Sequence, residues 1–391
     1  MGKVLHLIPD EKITSDVINN FDRVSQDNMY FILGDKNNRK YLFKDEENII
    51  WGNENYINNY KVSSDVTGVI IHGLNYSFAK FILSLSKRIK IAWYAWGFDI
   101  YLLPKISKHI YGKHTRRFLI EHETFYTINQ LIKNNPFLRS LYFKFIKKKD
   151  DHYKLYELAH SRIDYLCTYI KEDFDVFQKF YPNKNIKFLN TGYFSIGQYL
   201  GKSEDELNTD ELSDLGNNIL IGNSNSVENN HLDVFYALDS YKRNNSNLIV
   251  PLNYGTNENY KNFILSKGEE CFNNDFHPLL SFMNKGEYFT LLSTCNTGIF
   301  YHFRQQAMGN IIALLFLGLR IYLSNKNPVY SYLKRNNITV FDFDTEFEKF
   351  GNAQLSKDIV KNNRLRLMEM FNNDLIIRES KEVIKTLTNE S

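Results

Sequence analysis

The stretch that decides the fold runs from 294 to 323, TCNTGIFYHFRQQAMGNIIALLFLGLRIYL. Small and polar residues lead into a compact apolar run, Gly298-Ile299-Phe300-Tyr301, which reads as the end of a buried strand. Arg304-Gln305-Gln306 make a polar knot, Gly309 follows, and Ile311 to Leu317 is an apolar helical run closed by Gly318. Arg320-Ile321-Tyr322-Leu323 then restarts as a strand. Strand, polar turn, helix and strand make a βαβ unit. A cation and two amides where a strand hands over to a helix predict an anion site, because the first N–H groups of a helix point outward unpaired. In a doubly wound α/β protein a phosphate is held there.

The same alternation extends in both directions. Towards the N-terminus, 3–8 (KVLHLI), 29–33 (MYFIL), 68–73 (GVIIHG) and 89–96 (IKIAWYAW) read as buried strands separated by helical stretches. Ile163 to Tyr169 and 188–194 (FLNTGYF) complete a first half. A second half restarts at 218–224 (NILIGNS) and continues through 247–254 (NLIVPLNY), a helix over Phe282–Leu292, the opening stretch, and a last strand at 340–344 (VFDFD). The fold class is therefore α/β, with parallel sheets covered on both faces. The domains expected are 1–200, a polar and acidic linker at 201–218, 219–370, and a C-terminal helix at 371–391. Inside the first half, 104–150 mixes His, Lys and Arg with Phe, Tyr, Leu and Ile. Two readings stand for it: a helical insertion packed on the first domain, or a contact with an anionic bilayer surface.

Composition narrows the function. Of 391 residues, 43% are hydrophobic and 24% charged, which is globular rather than disordered. A net charge of +3 argues against a dedicated nucleic-acid binder. The three cysteines, Cys167, Cys271 and Cys295, lie far apart and form neither a metal nor a disulfide pattern, so a reducing cytoplasm is expected. The N-terminus enters a strand at once, without a secretory pattern, and no run reaches the roughly 18 apolar residues of a membrane span.

Motifs add detail. GxGxxG and GxxxxGK[ST] are absent, as are HExxH and Cys/His clusters, so no cofactor and no metal are expected. The Asp-x-Asp triplets at 173–175 and 342–344 read as surface or capping groups, with a metal–diphosphate role as the alternative. Gly222-Asn223-Ser224 reads as a loop that lets a ligand approach the backbone, or as an ordinary turn with a helix cap. His72, at the end of an apolar strand, reads as a core histidine or a site residue. Asp99, after Trp96-Gly97, reads as a cap or a catalytic base.

Several blocks then carry a resemblance. WYAWGFDIY (93–101), ILIGNSNSVENNH (219–231), LIVPLNYG (248–255), YFTLLSTCNTGIFYHFRQQAMGN (288–310) and NKNPVY (325–330) resemble the bacterial 4-acetamido-4,6-dideoxy-galactose (Fuc4NAc) transferases, glycosyltransferase family 56. IIHGLN (70–75) and the opening VLHLI resemble them in the same order. The resemblance implies a GT-B glycosyltransferase with two Rossmann-like domains facing across a cleft. It implies a dTDP-sugar donor in the C-terminal half, a lipid-diphosphate-linked saccharide acceptor for surface polysaccharide, and a place on the cytoplasmic face of the inner membrane. Carried over by position, Gly222, Asn223, Ser224, His231, Pro251, Tyr254, Arg304, Gln305, Gln306 and Gly309 fall on the donor side. His72 and Asp99 fall on the acceptor side as catalytic candidates. The chain departs from the family in the longer, more basic 104–150 segment and at Asn253 and Gly255. Two alternatives are a nucleotide-sugar 2-epimerase, which needs no acceptor, and a non-catalytic scaffold, which binds no nucleotide.

Overall fold

The computed structural model describes residues 2–182, 185–201, 204–207, 214–239, 241 and 246–388. Two compact units divide the chain. The first holds the chain up to Ser107, Ile132–Ser195 and everything from Phe371; the second holds Lys108–Leu131 and Ile196–Met370.

The first unit carries seven strands: β1 (Lys3–Pro9), β2 (Asn28–Leu33), β3 (Ile49–Gly52), β4 (Val66–His72), β5 (Lys90–Tyr94), β6 (Tyr165–Cys167) and β7 (Lys187–Leu189). Their order is β3-β2-β1-β4-β5-β6-β7 and every neighbouring pair is parallel. The second carries six: β8 (Asn218–Ile221), β9 (Leu248–Pro251), β10 (Phe276–Leu279), β11 (Cys295–Phe300), β12 (Arg320–Leu323) and β13 (Phe341–Asp342). They pair in the order β10-β9-β8-β11-β12-β13, again all parallel. In each sheet the chain winds outward from a central first strand and then reverses to the other side. The reversals lie between β1 and β4 and between β8 and β11. Ligands of doubly wound sheets sit beyond the carboxyl ends of the strands at such a reversal.

The opening stretch forms the elements its pattern predicts. All six residues of β11 and all four of β12 are buried, as central parallel strands must be. The helix Met308–Leu317 joins them and buries Ile311, Ile312, Leu314 and Leu315 completely. Leu314→Ala would cost about 2–5 kcal/mol. Gly318, at φ +103°, stops this helix in a left-handed turn and donates its N–H to the Leu314 carbonyl.

Elsewhere the structure differs from the sequence expectations. β3 and β10 are four-residue strands that were not anticipated. The strand expected at 340–344 is only Phe341–Asp342, and a helix, Phe343–Phe350, begins at once. Asp344 thus lies in a first helical turn, where a carboxylate offsets the helix dipole. In the other triplet, buried Asp173 accepts the Tyr101 hydroxyl at 2.6 Å and Asp175 pairs with Lys171 at 2.7 Å. The linker expected at 201–218 lies in large part outside the described residues.

The expected insertion at 104–150 divides between the units rather than packing on the first domain alone. Helix Lys113–His122 belongs to the second unit because Asp233 caps it, accepting His114 N at 2.8 Å and Thr115 N at 3.1 Å. Buried Asn230 accepts Gly112 N and donates to the carbonyls of Ile110 and Tyr301, tying the turn before that helix to the end of β11. Phe118 then packs its ring on Tyr260 and Phe263. From Ile132 to Ser195 the chain is in the first unit, where Arg139, only 3% exposed, is held by Asp151 at 2.7 Å. The last helix, Asn373–Thr388, also packs on the first unit: Leu387 fills the space beside Gly68, and Lys90 Nζ donates to Thr386 O at 2.8 Å.

Candidate functional site

The residues expected on the donor side gather on one edge of the six-stranded sheet. Gly222, Asn223 and Ser224 leave β8, Pro251 ends β9, and Tyr254 lies in the loop beyond it. Arg304, Gln305 and Gln306 leave β11, and Gly309 is in the first turn of Met308–Leu317. His231 opens the helix His231–Leu238. The exits of β8 and β11 flank the reversal, and side chains join them. Gln306 Nε2 donates to Asn223 Oδ1 and to Ser226 Oγ, both at 3.1 Å. Asn225 N donates to Tyr254 O at 2.7 Å, which brings the β9 loop to the same exit.

Asn229, which the sequence reading did not single out, organises this edge. Its Nδ2 donates to Ser224 Oγ, Ser226 O and Ser226 Oγ at 2.9–3.1 Å. Its Oδ1 accepts Asn223 N at 2.9 Å and His302 Nε2 at 2.8 Å. That bond fixes His302 as the Nε2–H tautomer and leaves Nδ1 an acceptor. Gly222 has φ +68°, and a Cβ there would stand 2.7 Å from Asn229 Oδ1 and 2.8 Å from His231 Nε2. Only glycine lets these two side chains come so close to the β8 exit.

Several buried polar atoms at these exits have no hydrogen-bond partner among the described residues. They are Asn225 Oδ1, both ring nitrogens of His231, His302 Nδ1, Gln305 Oε1 and Gln306 Oε1. A buried polar group left open costs about 1–3 kcal/mol, and these open groups are concentrated at the strand reversal. The amide oxygens are acceptors and match hydroxyl or ring N–H donors, not phosphate. Burial lowers His231 to about 3 and holds His302 well below the usual histidine range, with Arg304 adding to the effect, so both rings are neutral near pH 7. Ala307, the residue before the helix, takes the left-handed conformation at φ 58°. For a residue with a Cβ that conformation is strained by about 1 kcal/mol or more, and such outliers cluster at ligand sites. No side chain caps this helix. Its N-terminus and the Arg304 guanidinium are the groups at this edge suited to an anion.

The two catalytic candidates belong to the other sheet: His72 ends β4 and Asp99 follows β5. His72 is fully buried in a chain of oriented hydrogen bonds. Asn28 donates to the Phe21 and Ser25 carbonyls, so its oxygen accepts from His6 Nε2 at 3.2 Å. His6 Nδ1 therefore accepts from His72 Nε2 at 3.0 Å, and His72 Nδ1 accepts the Tyr193 hydroxyl at 2.9 Å. Trp96 Nε1 donates to the same hydroxyl at 2.8 Å. Burial, with His6 alongside, keeps His72 well below the usual range. Its one lone pair is engaged by the Tyr193 hydroxyl. Asp99 is 7% exposed. Its Oδ2 accepts Leu74 N at 2.9 Å and Trp93 Nε1 at 2.6 Å, and its Oδ1 accepts Trp96 N at 3.0 Å. Burial raises it to about 6 against the pull of these three donors. The carboxylate joins the exits of β4 and β5.

With this geometry in hand, comparison with known proteins decides the family. Residues 141–380 match the family model described as 4-alpha-L-fucosyltransferase glycosyl transferase group 56, well over half of the chain. The chain belongs to glycosyl transferase group 56. The group 56 chain is thus a glycosyltransferase, and solved structures agree on its fold. Sucrose-phosphate synthase from Thermosynechococcus elongatus superposes with a TM-score of 0.61 at 9% identity, covering 100% of each chain. The α,α-trehalose 6-phosphate synthase from Burkholderia multivorans gives 0.57 at 7% identity, over 100% of this chain and 98% of that one. WaaG, a glycosyltransferase involved in lipopolysaccharide biosynthesis, gives 0.53 at 11% identity, over 98% and 99%. These similarities establish the GT-B fold with its two Rossmann-like domains for this group 56 transferase. Among its described residues no group of three or more His, Cys, Asp or Glu side chains could hold a metal ion, and no helix is long and apolar enough to cross a membrane.

Proposed function

We propose that this transferase takes a deoxy-amino sugar such as Fuc4NAc from a dTDP-sugar, or a related nucleotide-sugar, and that the donor binds at the carboxyl edge of the six-stranded sheet. The observation that carries this reading is the set of open buried acceptors at the β8 and β11 exits, beside Arg304 and an uncapped helix N-terminus. Breaking a nucleotide-sugar bond leaves growing charge on the diphosphate, and fixed cationic and N–H donors stabilise it. Arg304 and the first amides of Met308–Leu317 take that part, with Gly309 admitting the diphosphate close to the backbone. Gln305, Gln306 and Asn225 take sugar hydroxyls or the base N–H, because their open atoms are acceptors. Gln306 also holds Asn223 and Ser226, so it sets the distance between the two loops. His231 lines the β8 exit beside Gly222, and Pro251 and Tyr254 bound the site on the β9 side. His72 and Asp99 position the exits of β4 and β5 and do not touch the reacting atoms.

The acceptor in this reading is a lipid-diphosphate-linked saccharide for surface polysaccharide, met at the cytoplasmic face of the inner membrane. Its support is the surface of 136–149. Phe137 is 70% exposed, Phe145 61% and Ile146 68%, and Lys144, Lys147, Lys148 and Lys149 are exposed among them. Exposed apolar rings interleaved with lysines match an anionic bilayer surface, where apolar burial and charge attraction act together.

Calorimetric titration with dTDP and UDP tests the donor assignment. Binding of dTDP in preference to UDP is the expected result, and no binding of either nucleotide would overturn it.

A further inference from the structure

A groove of about 910 Å³ opens at the carboxyl ends of β2 and β3, two strands away from the reversal of the first sheet. Trp51, Tyr56 and Tyr60 line it. These rings are held in place. Tyr56 stacks on Phe31 at 6.0 Å between centroids, Tyr60 stacks on Tyr56 at 6.2 Å, and the Arg39 guanidinium lies 5.7 Å from the Trp51 ring. Gly52 makes the arrangement possible, since a Cβ there would come within 2.7 Å of both Phe31 and Tyr56. Tyr56 nevertheless keeps 51% of its surface exposed. Trp51 Nε1 is a buried donor with no partner among the described residues.

Polar groups complete the lining. Asn55 and Asn59 present amides, and the charges are Lys36, Lys61 and Asp35. Lys36 is already paired with Asp45 at 3.0 Å, so Asp35 and Lys61 leave the groove close to neutral. Fixed aromatic faces with amides and an open indole N–H suit a ligand with apolar faces and a rim of hydroxyls. Saccharide rings have that character.

We infer that this groove is an outlying saccharide subsite that holds a neutral or N-acetylated sugar unit of the acceptor glycan. Only the word acceptor rests on the transferase reading. The rings and amides would bind the sugar whatever reaction follows.

The test titrates the full chain with maltose, N,N′-diacetylchitobiose and digalacturonic acid, following tryptophan fluorescence and saturation-transfer NMR. At least one of the two uncharged disaccharides is expected to bind saturably at millimolar concentration. Tyr56→Ala is expected to weaken that binding about tenfold. Asn55→Ala changes an exposed residue, spares the fold, and is expected to weaken it several-fold. Binding by neither uncharged sugar, binding of the diacid alone, or unchanged affinity in both variants would overturn the proposal. Binding of dTDP is measured in the same samples. If it is absent while the sugar binds, the donor assignment falls and the subsite stands. If dTDP binds and the sugars do not, the subsite falls alone.

Discussion

Asp99→Asn separates a brace from a base. The substitution keeps the shape of the side chain and leaves a carbonyl oxygen to accept Leu74 N and Trp93 Nε1. Its amide N–H₂ then faces Trp96 N, the donor now held by Oδ1 at 3.0 Å, and that N–H loses its acceptor. Losing it costs about 2 kcal/mol. Against this, a carboxyl raised from 3.8 to about 6 carries an ionised-state penalty of about 3 kcal/mol at pH 7, which the neutral amide removes. The two nearly cancel, so the variant should melt within about 1 kcal/mol of the wild type at pH 7. Because the folded value is raised, the proton-linked stability from Asp99 is fully present below about pH 4 and is lost as pH rises through about 6. The wild type should therefore lose stability relative to Asp99→Asn between pH 4 and pH 7. A calorimetric melt at several pH values and a steady-state transfer assay read both effects. If Asp99 only positions, kcat stays within about tenfold. A general base would cost about 10²–10⁴-fold in kcat with the melt unchanged, and that result would refute the bracing role.

Three further outcomes are expected. Arg304→Ala should weaken nucleoside-diphosphate binding by about 1.5–3 kcal/mol, measured by calorimetry, because it removes a charged hydrogen-bond donor from the phosphates; unchanged affinity would move the phosphate elsewhere. Asn229→Ala removes five hydrogen bonds that join Asn223, Ser224, Ser226 and His302. It should lower stability by about 2–4 kcal/mol in denaturant unfolding and weaken donor binding more than tenfold. Replacing Lys147, Lys148 and Lys149 together by Gln should weaken binding to anionic vesicles in co-sedimentation by about a hundredfold, at about 1 kcal/mol per charge, and leave the melting temperature unchanged. Equal sedimentation would remove the membrane from the account.

The βαβ unit at 294–323 was legible because its apolar runs differ in length and period, and because Gly318 marks the helix end by a left-handed turn. Both sheets follow from the same alternation. β3 and β10 escaped because a four-residue strand carries too little periodicity to stand out from its flanks. Val340 to Asp344 alternates like a strand, yet Phe343 and Phe347 are buried one helical turn apart, which the alternation of five residues cannot register. Long-range ties were equally hidden. Asn230 and Asp233 draw 108–131 into the second unit through bonds spanning more than a hundred residues, and nothing local announces them. Within the candidate site, the loops stood out in the sequence and Asn229, which joins them, did not. Asn229 sits among Asn223, Asn225 and Asn230, and that density of short amides was the available signal. For His72 and Asp99 the sequence showed polar residues near strand ends, but not the buried hydrogen-bond partners that hold them.

Hydrogen exchange of the full chain with and without dTDP tests the central assignment most directly. New protection at 222–231 and 302–310, with little change around β4 and β5, is the expected result. Saturating dTDP that protects neither segment would contradict a donor site at the β8 and β11 exits.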